Sequence, residues 1–163
     1  MKKLIVLFSM MFFIITYSSA QKGIQSAGIH LSYGTEIETV GIGMKYQYNL
    51  TNHIRFEPSM NYFFEKDNIA MFDINFNAHY ILPLENNIRV YPLAGVTFTR
   101  WNLDLPDLDG WNNDGKKNKF GVNLGAGAEF DIQDEWMINF EVKYQLINKL
   151  DQAIISLGVA YIF

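Results

Sequence analysis

Beyond residue 20 the chain has no long apolar run; its large apolar residues fall instead at alternate positions through eight successive segments. Side chains of an extended strand point to opposite faces in turn, so this period of two predicts strands with one apolar and one polar face. In residues 23–34, Ala27, Ile29, Leu31 and Tyr33 oppose Ser26, Gly28, His30 and Ser32. In the second segment Val40, Ile42, Met44, Tyr46, Tyr48 and Leu50 oppose Gly41, Gly43, Lys45, Gln47 and Asn49. The third sets Ile54, Phe56, Pro58, Met60, Tyr62 and Phe64 against Arg55, Glu57, Ser59, Asn61 and Glu65, with Phe63 the exception. The fourth sets Ala70, Phe72, Ile74, Phe76, Ala78, Tyr80 and Leu82 against Asp73, Asn75, Asn77 and His79. The fifth, residues 88–101, is less clean. Tyr91 and Leu93 share the side of Arg89, Pro92 and Ala94 that of Val90 and Val96, and alternation leaves its facing open. In the sixth, Phe120, Val122, Leu124, Ala126, Ala128 and Phe130 oppose Gly121, Asn123, Gly125, Gly127, Glu129 and Asp131. Trp136 to Leu146 forms the seventh, opposed by Asn139, Glu141, Lys143 and Gln145, and Ile155 to Phe163 lines one side of the eighth, which ends on an aromatic residue.

An even number of such strands suits a closed antiparallel barrel. At ~3.3 Å per residue and a tilt of ~40°, twelve residues rise about 30 Å, enough for the ~25 Å apolar band of a membrane barrel. A soluble barrel or sandwich alternates equally well with its apolar face turned inward, so the polar face has to decide. A solvated face would be rich in Lys and Glu. Here glycines, serines and asparagines mix with a few charges of both signs, as a cramped interior requires. Aromatic residues gather at strand ends, with Tyr48, Phe56, Tyr80, Phe130, Trp136 and Phe163 toward one rim and Tyr33, Phe64, Phe98, Trp101 and Phe120 toward the other, as two lipid interfaces would favour. The expected fold is all-β: an eight-stranded antiparallel up-and-down transmembrane β-barrel.

Residues 1–20 combine Lys2 and Lys3, an apolar stretch from Leu4 to Tyr17 and the small residues Ser18, Ser19 and Ala20. This is the pattern of a cleaved secretory signal peptide, leaving residues 21–163 as the barrel domain and placing it in the outer membrane after export. The chain has 13 basic and 17 acidic residues; loss of Lys2 and Lys3 leaves 11 basic and moves the net charge from −4 to −6, which disfavours nucleic acid as a partner. The absence of cysteine removes disulfides, thiol nucleophiles and thiolate metal sites.

With short turns at Thr51-Asn52, Pro83 to Asn87 and Gln133 to Glu135, the Gly/Ala-rich stretch from Val122 to Phe130 and the terminal Tyr161-Ile162-Phe163, the chain resembles the small OmpA/OmpX-like outer-membrane β-barrel family. The resemblance covers essentially everything after the signal. It implies a fold and an outer-membrane location, and no single activity.

Candidate functional residues fall in two sets. The expected interior holds Lys45, Arg55, Arg89 and Lys143 with Glu57, Asp73, Glu129 and Glu141. An eight-stranded barrel is just wide enough for side chains to fill, so these charges are expected to pair across the lumen as a structural plug; a gated ion path is the functional rival. The second set lies in residues 102–118, the one long connection, with Asp104, Asp107, Asp109, Lys116 and Lys117, flanked and punctuated by Trp101 and Trp111. By topology it projects outward, where its lysines would meet lipopolysaccharide phosphates and the tryptophans would anchor the interface or meet an extracellular partner. Asp107-Leu108-Asp109-Gly110 lacks the spacing and terminal Glu of a calcium loop. Gly125-Ala126-Gly127 is followed by no helix and is not a phosphate loop. His30, His53 and His79 sit near no convincing Ser and acid pair.

No catalytic, cofactor-binding or metal site is therefore expected. The leading function is a structural or surface-interaction role in contact with outer-membrane lipid. The alternatives are a porin-like pore for ions or small solutes and, behind it, a lipid-modifying enzyme. An oligomeric state is not specified.

Overall fold

The computed structural model describes residues 22–66, 69–85, 87–103, 116–133, 135–148 and 151–163. The expected signal peptide, residues 1–20, lies outside them. The strands are β1 (Gln25–Gly34), β2 (Thr39–Asn49), β3 (Ile54–Lys66), β4 (Ile69–Tyr80), β5 (Leu82–Glu85), β6 (Ile88–Leu103), β7 (Lys116–Gln133), β8 (Trp136–Ile147) and β9 (Gln152–Ile162). Sequential neighbours other than β4 and β5 pair antiparallel, β1 closes on β9 from Ser26↔Ile162 to Gly34↔Ile154, and β4 pairs β6. The result is an eight-stranded closed antiparallel barrel in which β4 and β5 form one stave.

The break between β4 and β5 has a local cause. His79↔Leu93 and Leu82↔Val90 belong to one register, which sets Pro92 opposite Tyr80. Proline has no N–H to give to that rung, while the amide of Ile81 turns the other way and donates to the His53 carbonyl at 2.7 Å. The expected turn over residues 83–87 is corrected here. Pro83 is a strand residue paired with Arg89, and it is tolerated because β5 has a ladder partner on the β6 side only.

The two faces of the wall have the expected chemistry. Ile29, Leu31, Met44, Phe140, Val142 and Leu157 are exposed on the outside, while Gln47, Glu57, Asn75, Asn123, Glu141 and Gln145 are buried within. β6 follows the same rule, with Arg89, Tyr91, Leu93, Thr97 and Thr99 turned inward and Val96 and Phe98 outward. Phe63 is indeed an inward exception in β3. At the barrel end that carries both Lys22 and Phe163, here the near end, Trp136 meets Tyr161 edge-on at 5.2 Å and Tyr161 stacks on Phe163 at 6.4 Å. At the far end Tyr62 and Phe64 meet edge-on at 5.9 Å.

Trp101 departs from the expected far-end girdle. It is buried in the lumen, 3% exposed, because its position in β6 shares the parity of Arg89, Thr97 and Thr99. It cannot anchor the interface or meet a partner. The long connection is also shorter than expected, since β6 runs to Leu103 and β7 begins at Lys116.

An apolar outer face fixes the cost of placing charge on it. Val142→Arg, near the middle of β8, is expected to destabilise the barrel by about 2–4 kcal/mol in lipid vesicles, whereas Leu50→Arg in the near-end bend should cost no more than about 1 kcal/mol. Reversible urea unfolding followed by tryptophan fluorescence measures both.

Candidate functional site

The lumen is organised in four layers from the near end to the far end. At the near end, Arg55 on β3 makes a two-pronged contact with Glu129 on β7, Nη1 to Oε2 at 2.6 Å and Nη2 to Oε1 at 2.8 Å. Arg89 on β6 donates from Nε to the same carboxylate at 2.6 Å and from its two terminal nitrogens to Asp131 at 2.6 and 2.5 Å. Asn49 accepts from Arg55 Nε at 2.8 Å. Two guanidiniums and two carboxylates thus alternate in a neutral chain across this mouth. Planar forks against carboxylates are the strongest geometry available for such pairs.

The second layer joins Glu57, His79, Tyr91, Glu141, Lys45 and Lys143. Lys45 Nζ lies 3.7 Å from Glu57 Oε2, and Gln47 donates to that oxygen at 2.7 Å while accepting from Ser26 at 2.7 Å. Lys143 Nζ is 3.5 Å from Glu141 Oε1, and the Tyr91 hydroxyl donates to Glu141 Oε2 at 3.2 Å. The His79 ring stacks on Tyr91 at 4.4 Å and 6°. This stack exists because position 127 is glycine. A Cβ there would stand 2.4 Å from Tyr91 Cζ.

The third layer is an amide network. Asp73 accepts from Asn61 and Asn75 at 2.7 Å each and from Gln145 at 3.3 Å, with no cation in ion-pair range among the described residues. Asn123 donates to Asn75 and Asn77 at 2.9 Å, and Gln152 donates to Gln145 at 2.9 Å. His30 Nε2 is 2.5 Å from Asn61 Oδ1, its ring occupying space that a Cβ on Gly43 would fill. Ser32 bonds Ser156 at 2.8 Å. The fourth layer is apolar: Ile37, Phe63, Met71, Trp101 and Ile154 form one buried cluster. Ile37 enters it from the Thr35–Glu38 turn. There Glu38 takes a positive φ of 47° and Lys66 Nζ, 2.9 Å from its carboxylate, holds that carboxyl below the usual range.

All eight charged residues expected in the interior are buried there. Their pairing differs from a simple plug across the lumen. Arg55 and Glu129 bridge β3 to β7, but Lys45 and Glu57 lie on adjacent strands and Glu141 and Lys143 on one strand, while Asp73 is surrounded by amides. Sequence reasoning missed three contributors: Asp131 as the last link of the arginine chain, and Tyr91 and His79 as neighbours of the glutamates. The inward glycine at 127 was the available signal for a bulky ring opposite it. Of the outward set, Asp104, Asp107, Asp109 and Trp111 lie outside the described residues, as do the side chains of Lys116 and Lys117.

The profile of the outer membrane protein beta-barrel domain matches residues 8–163. The chain belongs to this family. Family membership places it in the outer membrane. A search of curated proteins gave no match. Among solved structures, the barrel is similar to the N-terminal β-barrel domain of OprF from Pseudomonas aeruginosa, with a TM-score of 0.71 and 15% identity over 87% of this chain and 98% of that one. It is also similar to Neisserial surface protein A, TM-score 0.67 and 14% identity over 86% and 96%. A third is Ail, the attachment invasion locus protein of Yersinia pestis, TM-score 0.60 and 18% identity over 88% and 100%. At such identities the shared property is the family's fold.

Within this family barrel the near-end chain holds Arg55 and Glu129 buried against each other. Removing one charge leaves its buried partners uncompensated, so Glu129→Gln is expected to cost about 3–5 kcal/mol in urea unfolding. Glu65→Gln, at the exposed end of β3, should stay within about 0.5 kcal/mol.

Proposed function

We propose that residues 1–20 direct export and that the mature barrel is a non-enzymatic outer-membrane protein with a structural or surface-interaction role. The observation that supports this reading is that two sets of side-chain contacts occupy the lumen, one toward each end. The Arg55–Glu129–Arg89–Asp131 chain crosses the near end, and the cluster of Ile37, Phe63, Met71, Trp101 and Ile154 fills the far end. An apolar constriction resists ions because water does not wet it, and the arginine chain would have to break for solute to pass. Function is thereby left to the lipid-facing body and the connection around residues 104–115. Catalysis has little to work with: Ser32 is engaged with Ser156, and His30 with Asn61.

A narrow pore is the second reading, favoured by the charged and amide-lined middle of the lumen. Planar-bilayer recordings separate the two. The wild-type barrel should give no conductance steps, and Phe63→Ala with Trp101→Ala should still be held closed by the near-end chain; steady wild-type steps would establish the pore instead.

For surface contact, the shared chemistry is phosphate on lipopolysaccharide against the lysines that open β7. Reconstitution into vesicles with lipopolysaccharide should raise the thermal midpoint relative to phospholipid alone, and Lys116→Ala with Lys117→Ala should remove most of that increment. An increment unchanged by the double substitution would count against this contact.

A further inference from the structure

Three donor side chains from three strands converge in the second layer of the lumen, independently of any surface role. Glu57 on β3, His79 on β4 and Glu141 on β8 are all buried, and one donor atom from each lies within 4.8 Å of the other two. His79 is the informative member. Its Nε2 points toward Glu57 Oε1 at 3.8 Å, beyond hydrogen-bond length, and neither ring nitrogen has a hydrogen-bond partner. Its side chain is fully buried. Buried polar atoms are paired in most cases, so an imidazole held in this state asks for a ligand. The ring is fixed in place by its stack on Tyr91, which in turn occupies the space left by Gly127.

We infer that Glu57, His79 and Glu141 form a binding site for one divalent transition-metal ion of the zinc type. One imidazole nitrogen with two carboxylates is a donor set that such ions accept, whereas calcium or magnesium would call for oxygens alone. Tetrahedral bonding at about 2.0–2.2 Å spaces donors about 3.4 Å apart, so the three must close by roughly 1 Å, a movement the two glutamate side chains supply while the stacked ring stays still. Both carboxylates already have outer partners: Gln47 at 2.7 Å from Glu57 Oε2 and the Tyr91 hydroxyl at 3.2 Å from Glu141 Oε2. Such contacts orient metal ligands. Lys45 and Lys143 are the competing cations, at 3.7 and 3.5 Å from the glutamates. With side-chain contacts toward each end of the lumen, the ion enters as the barrel closes and joins β3, β4 and β8.

The test is to refold the full chain into detergent micelles with Co²⁺ as a spectroscopic probe, remove unbound metal on a chelating resin, and measure retained cobalt and its visible absorption. Folding is checked separately by heat-modifiable migration on a gel. The folded wild type should keep one cobalt per chain. His79→Ala and the shape-preserving Glu141→Gln should each weaken retention by about 100-fold or more, beyond the 10–100-fold typical of losing an outer-shell partner, and His30→Ala should keep it. Folded wild type without cobalt, or retention unaffected in folded Glu141→Gln, overturns the site; if His79→Ala does not fold, Glu141→Gln decides alone.

Discussion

A lipid environment offers backbone amides and carbonyls no hydrogen-bond partner, so a sheet that crosses it must close on itself. The rungs between β1 and β9 meet this demand here, and the rest of the structure follows from it. Closure with eight staves leaves an interior with room for side chains and little else. Every inward residue is therefore a packing decision as well as a chemical one. The wall's outer face has no such restriction and only needs to be apolar.

That restriction explains the layering of the lumen. Charged groups can stand in a dry interior only when each has a partner of opposite sign or a full set of hydrogen bonds. The arginine chain satisfies the first condition and Asp73, within its ring of amides, the second. Bulky rings are admitted where the facing position has no Cβ, as with Tyr91 over Gly127 and His30 over Gly43. The far end dispenses with polarity and packs Phe63, Met71 and Trp101 together. The layers fill much of the interior with mutually bonded side chains, and they hold Glu57, His79 and Glu141 close together.

Much of this was legible in the residues because alternation is a one-dimensional signal. Lys45, Glu57, Asp73 and Glu141 fall on the polar parity of clean strands, and their inward facing followed directly. Trp101 departs from its expected place because an aromatic residue near a strand end suggests an interface, while the parity it shares with Thr99 carries no direction in a strand whose alternation is mixed. Pro83 suggests a turn from sequence because a one-dimensional pattern does not show that one side of β5 lacks a ladder partner. Asp131 shared the polar parity of Glu129, but its place in the chain depends on where the Arg89 fork ends, which no spacing reveals.

The sequence by itself determined most of the strands, their facing outside residues 88–101 and the membrane-spanning class, since each depends only on which residues lie two apart along an extended chain. The tertiary structure alone decided which inward groups meet. Glu129 and Arg55 are 74 positions apart and come within 2.6 Å only after the barrel has closed. Contacts across a lumen depend on strand register and circumference, which are properties of the closed sheet and of no single segment.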